Sequence, residues 1–302
     1  MHEIIEKQKC YGCGACVEAC PQKCIVMKED EYGFFYPCIN EIKCIDCGAC
    51  RKKCIAINKK DERNIPVCFI GVHKDENIWL NSSSGGAFTA ILQSLFIDNT
   101  VIVGAVYDEN LIVRHSTADS LVDIEKFRKS KYVQSNLGTI YREIKNYLKE
   151  GRRVIFSGTP CQVAGVYATV GKEYENLYTV ELICTGVTSP LLFQSFLDLL
   201  EEKYRKKVKK IDMRHKVKNE NGWNIGDTQV VFEDGKVLRN VKTRWFRQLY
   251  GQKIAYRESC YTCQFAKCER EADITIGDWW GNLEGLSGVK EPFQMLLLDS
   301  VP

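Results

Sequence analysis

Sixteen cysteines are the first chemistry that this 302-residue chain offers, and eight of them fall into two tight sets. Cys10, Cys13, Cys16 and Cys20 have the spacing C-x2-C-x2-C-x3-C and are followed by Pro21. Cys44, Cys47, Cys50 and Cys54 repeat that spacing 34 residues later, with Ile55 in place of the proline, and Cys-Gly-Ala-Cys recurs intact. Three cysteines on a tight loop can reach three corners of one iron–sulfur cubane, while a fourth, set further on, points at a neighbouring cubane. Cys10, Cys13 and Cys16 are therefore expected to bind one 4Fe–4S cluster with Cys54. Cys44, Cys47 and Cys50 are expected to bind a second with Cys20. Glycines at 12, 14 and 48 let the backbone curl where a Cβ would clash. A zinc site would take four ligands, usually as two spaced pairs, which is not this pattern. The chemistry such clusters supply is transfer of electrons one at a time.

A second group of cysteines lies downstream. Cys161 follows the apolar run at 153–157 at what reads as the start of a helix, and Cys184 ends the next apolar run. Two adjacent parallel strands would bring both to one sheet edge, where cofactors bind. Cys260 and Cys263 form a C-x2-C pair, so Cys161, Cys184, Cys260 and Cys263 make a ligand set for a third 4Fe–4S cluster. Cys268 competes with Cys184 for the fourth place. Cys24, Cys38 and Cys68 lie outside these patterns and are expected to be buried thiols without metal. His73, His115 and His215 stand alone in sequence and are expected in structural or surface roles, so no general acid or base is assigned.

The elements that must position these groups follow from periodicity. The segment 1–60 reads as a bacterial-type ferredoxin-like domain, and the polar stretch from Lys59 to Pro66 as a linker. Beyond it, strand-like runs at 67–72, 101–107, 154–157 and 178–184 alternate with helical spacing at 87–96, 137–149, 162–170 and 190–203. Such alternation predicts an α/β unit over 61–302 with a mixed, partly parallel sheet, so the whole chain is of α+β and α/β character. A hairpin is expected at 229–232 and 236–241 around Asp234-Gly235, and a further strand at 273–277. The basic run from Lys203 to Lys210 reads as a solvated helix end.

Composition narrows the function classes. The net charge of +3 gives no electrostatic reason to expect nucleic acid or an anionic membrane as a partner. The N-terminus has no apolar core of a secretory signal, and no apolar run is long enough to span a bilayer. A cytoplasmic protein is expected, where cysteines serve metals rather than disulfides.

Two loops could hold a phosphate at a helix start: Ser83, Ser84, Gly85, Gly86 and Ala87, and the turn around Gly158, Thr159 and Pro160. With these on the page, the chain resembles the family of beta subunits of coenzyme F420 hydrogenases and dehydrogenases. The motifs are Ser82 to Phe88, Ser130 to Ser135, Ser157 to Gln162, Ile183 to Gly186, Cys260 to Cys263 and Asp273 to Gly281. The resemblance implies one FAD and a 4Fe–4S cluster in the larger unit. It implies FAD contacts from Ser83 to Ala87, from Ser130, Lys131, Tyr132, Gln134 and Ser135, and from Thr159, Pro160 and Gln162. Asp278, Trp279 and Trp280 would wall the site. Thr185 stands where relatives often carry His, which weakens the transfer of a proton-donating role to that position. Relatives run on past Pro302, and residues 282–302 match poorly, so a shorter or truncated C-terminus is expected.

The expected function is an iron–sulfur flavoprotein oxidoreductase. It would exchange single electrons with ferredoxin or a redox partner subunit, and hydride with a deazaflavin or other small molecule. The alternative is a non-catalytic electron-relay subunit of a larger redox complex.

Overall fold

The computed structural model describes residues 3–58, 67–219, 222–278 and 294–298. In the N-terminal segment two short helices, α1 (Ala15–Ala19) and α2 (Ala49–Lys52), flank a ribbon of β1 (Ile25–Glu29) and β2 (Phe35–Ile39). Both helices start directly after a left-handed glycine, Gly14 at φ 77° and Gly48 at φ 70°, a conformation that other residues resist. Ile4, Cys16, Cys24 and Ile25 make its small core, with Cys20, Cys44, Cys50 and Cys54 packed around it. A unit this small buries too little apolar surface to be secure alone and gains from metal.

The rest of the chain runs through β3 (Val67–Gly71), α3 (Glu76–Leu80), α4 (Ala87–Leu95), β4 (Thr100–Tyr107), β5 (Val113–Ala118) and α5 (Ile140–Lys149). It continues with β6 (Arg153–Gly158), α6 (Pro160–Val170), β7 (Leu177–Leu182), α7 (Pro190–Tyr204), β8 (Val208–Asn219) and β9 (Gly222–Phe232). It closes with β10 (Val237–Leu238), α8 (Val241–Gly251), β11 (Ile274–Asp278) and β12 (Gln294–Leu298). The main sheet has the order β3-β12-β11-β7-β6-β4-β5. β4, β6, β7 and β11 are parallel, whereas β5, β12 and β3 pair antiparallel. Helices cover both faces of its centre, so Ile102, Val103, Val154, Ile155 and Phe156 are all wholly buried, as continuous apolar strands require. On one face, α5 supplies Ile140, Tyr141, Ile144 and Leu148, and α6 supplies Val163, Val166 and Val170. The mixed sheet read from the alternation is therefore present.

A second sheet, β10-β9-β8, packs under α7 and α8 through Phe193, Phe196, Val230, Phe232 and Phe246. Here the expectations need correction. The hairpin at Asp234-Gly235 exists, with Val237 opposite Val231, but its second arm is two residues long because Val241 already opens α8. The basic run is a solvated helix end only in part. The helix stops at Arg205, which is left-handed at φ 51°, and Val208 begins β8. Cys68 is exposed and Cys38 only half-buried, against the expectation of buried thiols. Cys68 lies on the edge strand β3, where Val67, Phe69 and Ile70 are exposed too. The linker 59–66 and Trp279-Trp280 lie outside the described residues.

Candidate functional site

The N-terminal cysteines gather in two places. Cys20 lines one cavity of about 310 Å³ together with Cys44, Cys47 and Cys50. Cys10 and Cys54 are electrostatic neighbours of both Cys13 and Cys16. Burial pushes the Cys13 thiol up to about 12 and that of Cys16 higher still. Dry thiols of this kind keep their protons unless a metal takes the sulfur, and they make poor nucleophiles. Cys20 differs. Burial opposes its ionisation, but hydrogen bonds led by the Cys24 N–H hold its thiol below the usual value. Cys24 itself is buried, with its Sγ 3.3 Å from that of Cys20, as close to the site as a non-ligand can be. Among the described residues no three His, Cys, Asp or Glu side chains close around a single ion. A cubane spreads its thiolates more widely than one ion does.

The larger unit builds a second cysteine site at the carboxyl edge of its parallel strands. β6 ends at Gly158, and α6 begins at Pro160 after Thr159, whose N–H donates to Gln162 Oε1 at 3.0 Å. This side-chain cap places Cys161 in the first turn of the helix. β7, parallel to β6, ends two residues before Cys184. Cys161, Cys184, Cys260 and Cys263 then line one cavity of about 400 Å³ with Tyr11 and Phe265. Cys268 does not line it and is exposed. Burial pushes Cys184 up to about 12 and Cys161 well above its ordinary value.

The two sites adjoin. Tyr11, Ile55, Ala164 and Phe265 share an apolar patch that Cys13, Cys161 and Cys263 border. Tyr11 stacks edge-on to Phe265 at 5.1 Å, and its hydroxyl accepts from the Gln264 N–H at 3.1 Å. In the other set of N-terminal cysteines Cys47 is exposed, as are Ile42 and Ile45 on the preceding loop, at 97% and 61%.

The residues implied for FAD fall into two groups. Gln134, Thr159, Pro160 and Gln162 line the cysteine cavity of the larger unit. Ser135 sits behind them: its hydroxyl accepts from Gln162 Nε2 at 2.9 Å and lies 3.0 Å from His115 Nδ1. Ser83, Ser84, Gly85, Gly86 and Ala87 meet Ser130 elsewhere, where the Ser130 N–H donates to Ser83 Oγ at 2.7 Å. Gly86 is required there, at φ 86°, because a Cβ would come within 2.9 Å of His73 Cβ. Lys131 turns inward and donates to the carbonyls of Phe127, Arg128 and Lys129 at 2.9–3.4 Å. Tyr132 packs on Tyr250, ring centroids 4.1 Å apart.

Strand β8 adds groups that periodicity did not single out. Lys216 donates to Trp79 O and Ser84 O at 2.6 and 2.5 Å, and Arg214 pairs with Asp278 at 2.6 Å. Asp212 pairs with Lys129 at 3.0 Å. Arg214 and Lys129 thus pair with the two carboxylates, while Lys216 and Lys131 donate to backbone carbonyls. Desolvation is the main cause that lowers both Lys131 and Lys216 to about 7. The signal was the i, i+2 alternation of Asp212, Arg214 and Lys216, which puts three charged residues on one buried strand face.

A fold of this kind, with paired cubane motifs at its front and a cysteine-lined edge behind, defines an iron–sulfur electron-transfer protein. Residues 9–56 match the model of a 4Fe–4S dicluster domain. Residues 151–292 match the family described as the C terminus of the coenzyme F420 hydrogenase/dehydrogenase beta subunit. The resemblance read from the motifs is thereby borne out by the match over residues 151–292. It is 25% identical over 307 residues to a subunit, designated F, of the F(420)H(2) dehydrogenase of Methanosarcina mazei, across 93% of this chain and 80% of the relative. A polypeptide of the F420-reducing NiFe hydrogenase complex from Methanosarcina barkeri is 20% identical; the match covers 80% of this chain and 77% of that one, with a TM-score of 0.49. No helix among the described residues is long and apolar enough to cross a membrane.

Proposed function

We propose that this chain conducts single electrons between an external ferredoxin or partner subunit and a substrate site in its larger unit. The observation that carries the reading is the nesting of the three cysteine sets. Cys20, Cys44, Cys47 and Cys50 face outward, Cys10, Cys13, Cys16 and Cys54 lie inward, and Cys161, Cys184, Cys260 and Cys263 lie behind them across the Tyr11–Phe265 contact. Each set supplies four thiolates, the ligand count of a cubane.

The donor set around Ser83, Ser130 and β8 suits a dinucleotide such as FAD. Desolvation holds Lys131 and Lys216 near neutrality, and an anionic diphosphate would favour their charged forms, with Lys216 nearest the Ser84 loop. A flavin held there would supply the exchange between a hydride and single electrons, and a deazaflavin of the F420 kind is the matching substrate class. The chain's own residues bind, order the Ser83 loop through Lys216 and keep water from the buried strands.

A second reading, a relay subunit without flavin, is favoured by one fact: the Lys131 ammonium is already bound to three backbone carbonyls. Anaerobic purification followed by iron and flavin analysis separates the two. About 12 iron atoms and one FAD per chain are expected. About eight iron atoms without flavin in intact protein would overturn both the third cluster and the enzyme reading and leave the relay.

A further inference from the structure

Arg257 is one of the largest fully buried side chains of the molecule, at 1% exposed. Its Nε donates to Cys10 O at 2.6 Å, its Nη2 to Phe35 O at 3.1 Å and its Nη1 to Gln134 Oε1 at 2.9 Å. Ser259 Oγ donates to the same Cys10 carbonyl at 3.0 Å, and the Tyr36 ring lies 4.1 Å from the guanidinium carbon. The cluster loop runs tightly over it: a Cβ on Gly12 would fall 2.9 Å from the guanidinium. The same side chain also lines the cavity of Cys161, Cys184, Cys260 and Cys263.

Its partners set it apart from the other buried arginines. Arg270 pairs with Glu181 at 2.6 Å and Arg214 with Asp278 at 2.6 Å. Among the described residues the acceptors of Arg257 are two carbonyls and an amide, all uncharged. A guanidinium stays charged at any working pH, and a buried charge without a counter-ion is strongly unfavourable. Cys13 and Cys260 are both its electrostatic neighbours, and the anion paired with it is the cubane whose loop carbonyl its Nε binds. Four thiolates around such a cluster leave it net negative, and more so after it accepts an electron.

We propose that Arg257 is the fixed counter-charge of the cubane bound by Cys10, Cys13, Cys16 and Cys54, and that it makes this cubane easier to reduce than its twin. The inference rests on the ligand reading above. The twin, at Cys20, Cys44, Cys47 and Cys50, has Arg51 at its cavity, but that side chain is exposed and screened by water. One electron leaving the outer cubane oxidises it and reduces the inner one, no proton moves, and Arg257 biases that step inward.

The test compares Arg257→Gln and Arg257→Lys with the wild type. It uses iron analysis and a redox titration followed by electron paramagnetic resonance, with Cys47→Ser identifying the outer cubane's signal. In the Gln variant the equilibrium constant for reducing the inner cubane is expected to fall at least about tenfold, or about 59 mV for a one-electron couple, with the outer one unmoved. The Lys variant, which keeps the charge but not the planar bonds, should stay close to wild type. An unchanged inner potential in the Gln variant, equal shifts in both variants, or both cubanes moving together would overturn the proposal. If the Gln variant loses the inner cubane, retention in the Lys variant supports the charge, and loss in both shows a packing role and overturns it. A wild type lacking either N-terminal cubane would instead overturn the ligand reading.

Discussion

The imidazole of His115 lies almost flat on Phe156, ring centroids 5.4 Å apart at 13°. Its Nε2 faces the carbonyl oxygen of Ser157 at 3.0 Å, which can only accept, so the proton is on Nε2. Nδ1 is then the acceptor for the Ser135 hydroxyl, and that oxygen accepts from Gln162, which also caps Thr159. One neutral ring thus orders the turn that carries Cys161. Burial, with Lys131 adding to it, lowers His115 to about 4. The unfolded chain, titrating near 6.5, binds the extra proton, so this part of the stability is present above pH 6.5 and is lost as pH falls through 4. It amounts to about 3 kcal/mol at most. Thermal unfolding across pH 4–7 should show a steeper loss for the wild type than for His115→Gln. Parallel curves would refute the neutral, buried ring.

The Glu181–Arg270 pair lies beneath Cys184, with the carboxylate wholly hidden, and Thr275 also donates to Glu181 Oε1 at 2.9 Å. Glu181 Oε2 and Arg270 Nη2 have no hydrogen-bond partner among the described residues. Desolvation is the largest influence on Glu181 and raises it despite the arginine. Arg270→Met would strand the carboxyl and should cost about 3 kcal/mol. Glu181→Leu combined with Arg270→Met should recover most of that loss. Chemical denaturation of the two singles and the double measures the coupling, and additive losses would show that the pair acts as two independent side chains.

The dicluster character of the N-terminal segment was legible because cubane spacing is a local property, repeated 34 residues on. The third set depended on the fold. Cys161 and Cys184 could be placed at one sheet edge from strand-then-helix patterning, whereas spacing alone could not say that Cys268 is exposed and outside the cavity lining. Arg257 was invisible because its partners, Cys10 and Gln134, are 247 and 123 residues away in sequence. β8 was missed because a strand crowded with Lys, Arg and Asp reads as surface, although its inward face is buried against Trp79 and Ser84. The split of the residues that the resemblance implied for FAD has the same cause, since motif order says nothing of which loops converge.

Exchange of the fourth ligands gives a spectroscopic outcome. Cys54→Ser should alter the same paramagnetic species as Cys10→Ser, and Cys20→Ser the same species as Cys44→Ser. Pairing of Cys20 with Cys10 instead would show uncrossed ligation. Cys24 complicates one arm, because its sulfur lies 3.3 Å from that of Cys20. Cys20→Ser alone should therefore keep part of its outer cubane through Cys24, and Cys20→Ser with Cys24→Ala should lose it. Iron analysis of the single and the double variant reads this directly.

Lys216 joins β8 to the Ser84 loop through two carbonyls and stands over the Trp79 ring at 4.9 Å. Desolvation first, then Lys129 and Arg214, lower it to about 7. The unfolded lysine titrates near 10.5, so between about 7 and 10.5 the unfolded chain holds more protons and stability rises with pH. Flavin-free protein should therefore gain thermal stability from pH 7 to 10, and Lys216→Met should lose part of that gain. An anionic diphosphate beside the ammonium would favour its charged form, raise its pKa and shrink the gain. Loss of charge-assisted hydrogen bonds of this type costs about 1.5–3 kcal/mol each, so Lys216→Met should also weaken flavin retention by about tenfold or more. Flavin release during dilution, followed by fluorescence, measures it. Undiminished retention with a disordered loop would confine Lys216 to holding the loop and move the dinucleotide site elsewhere.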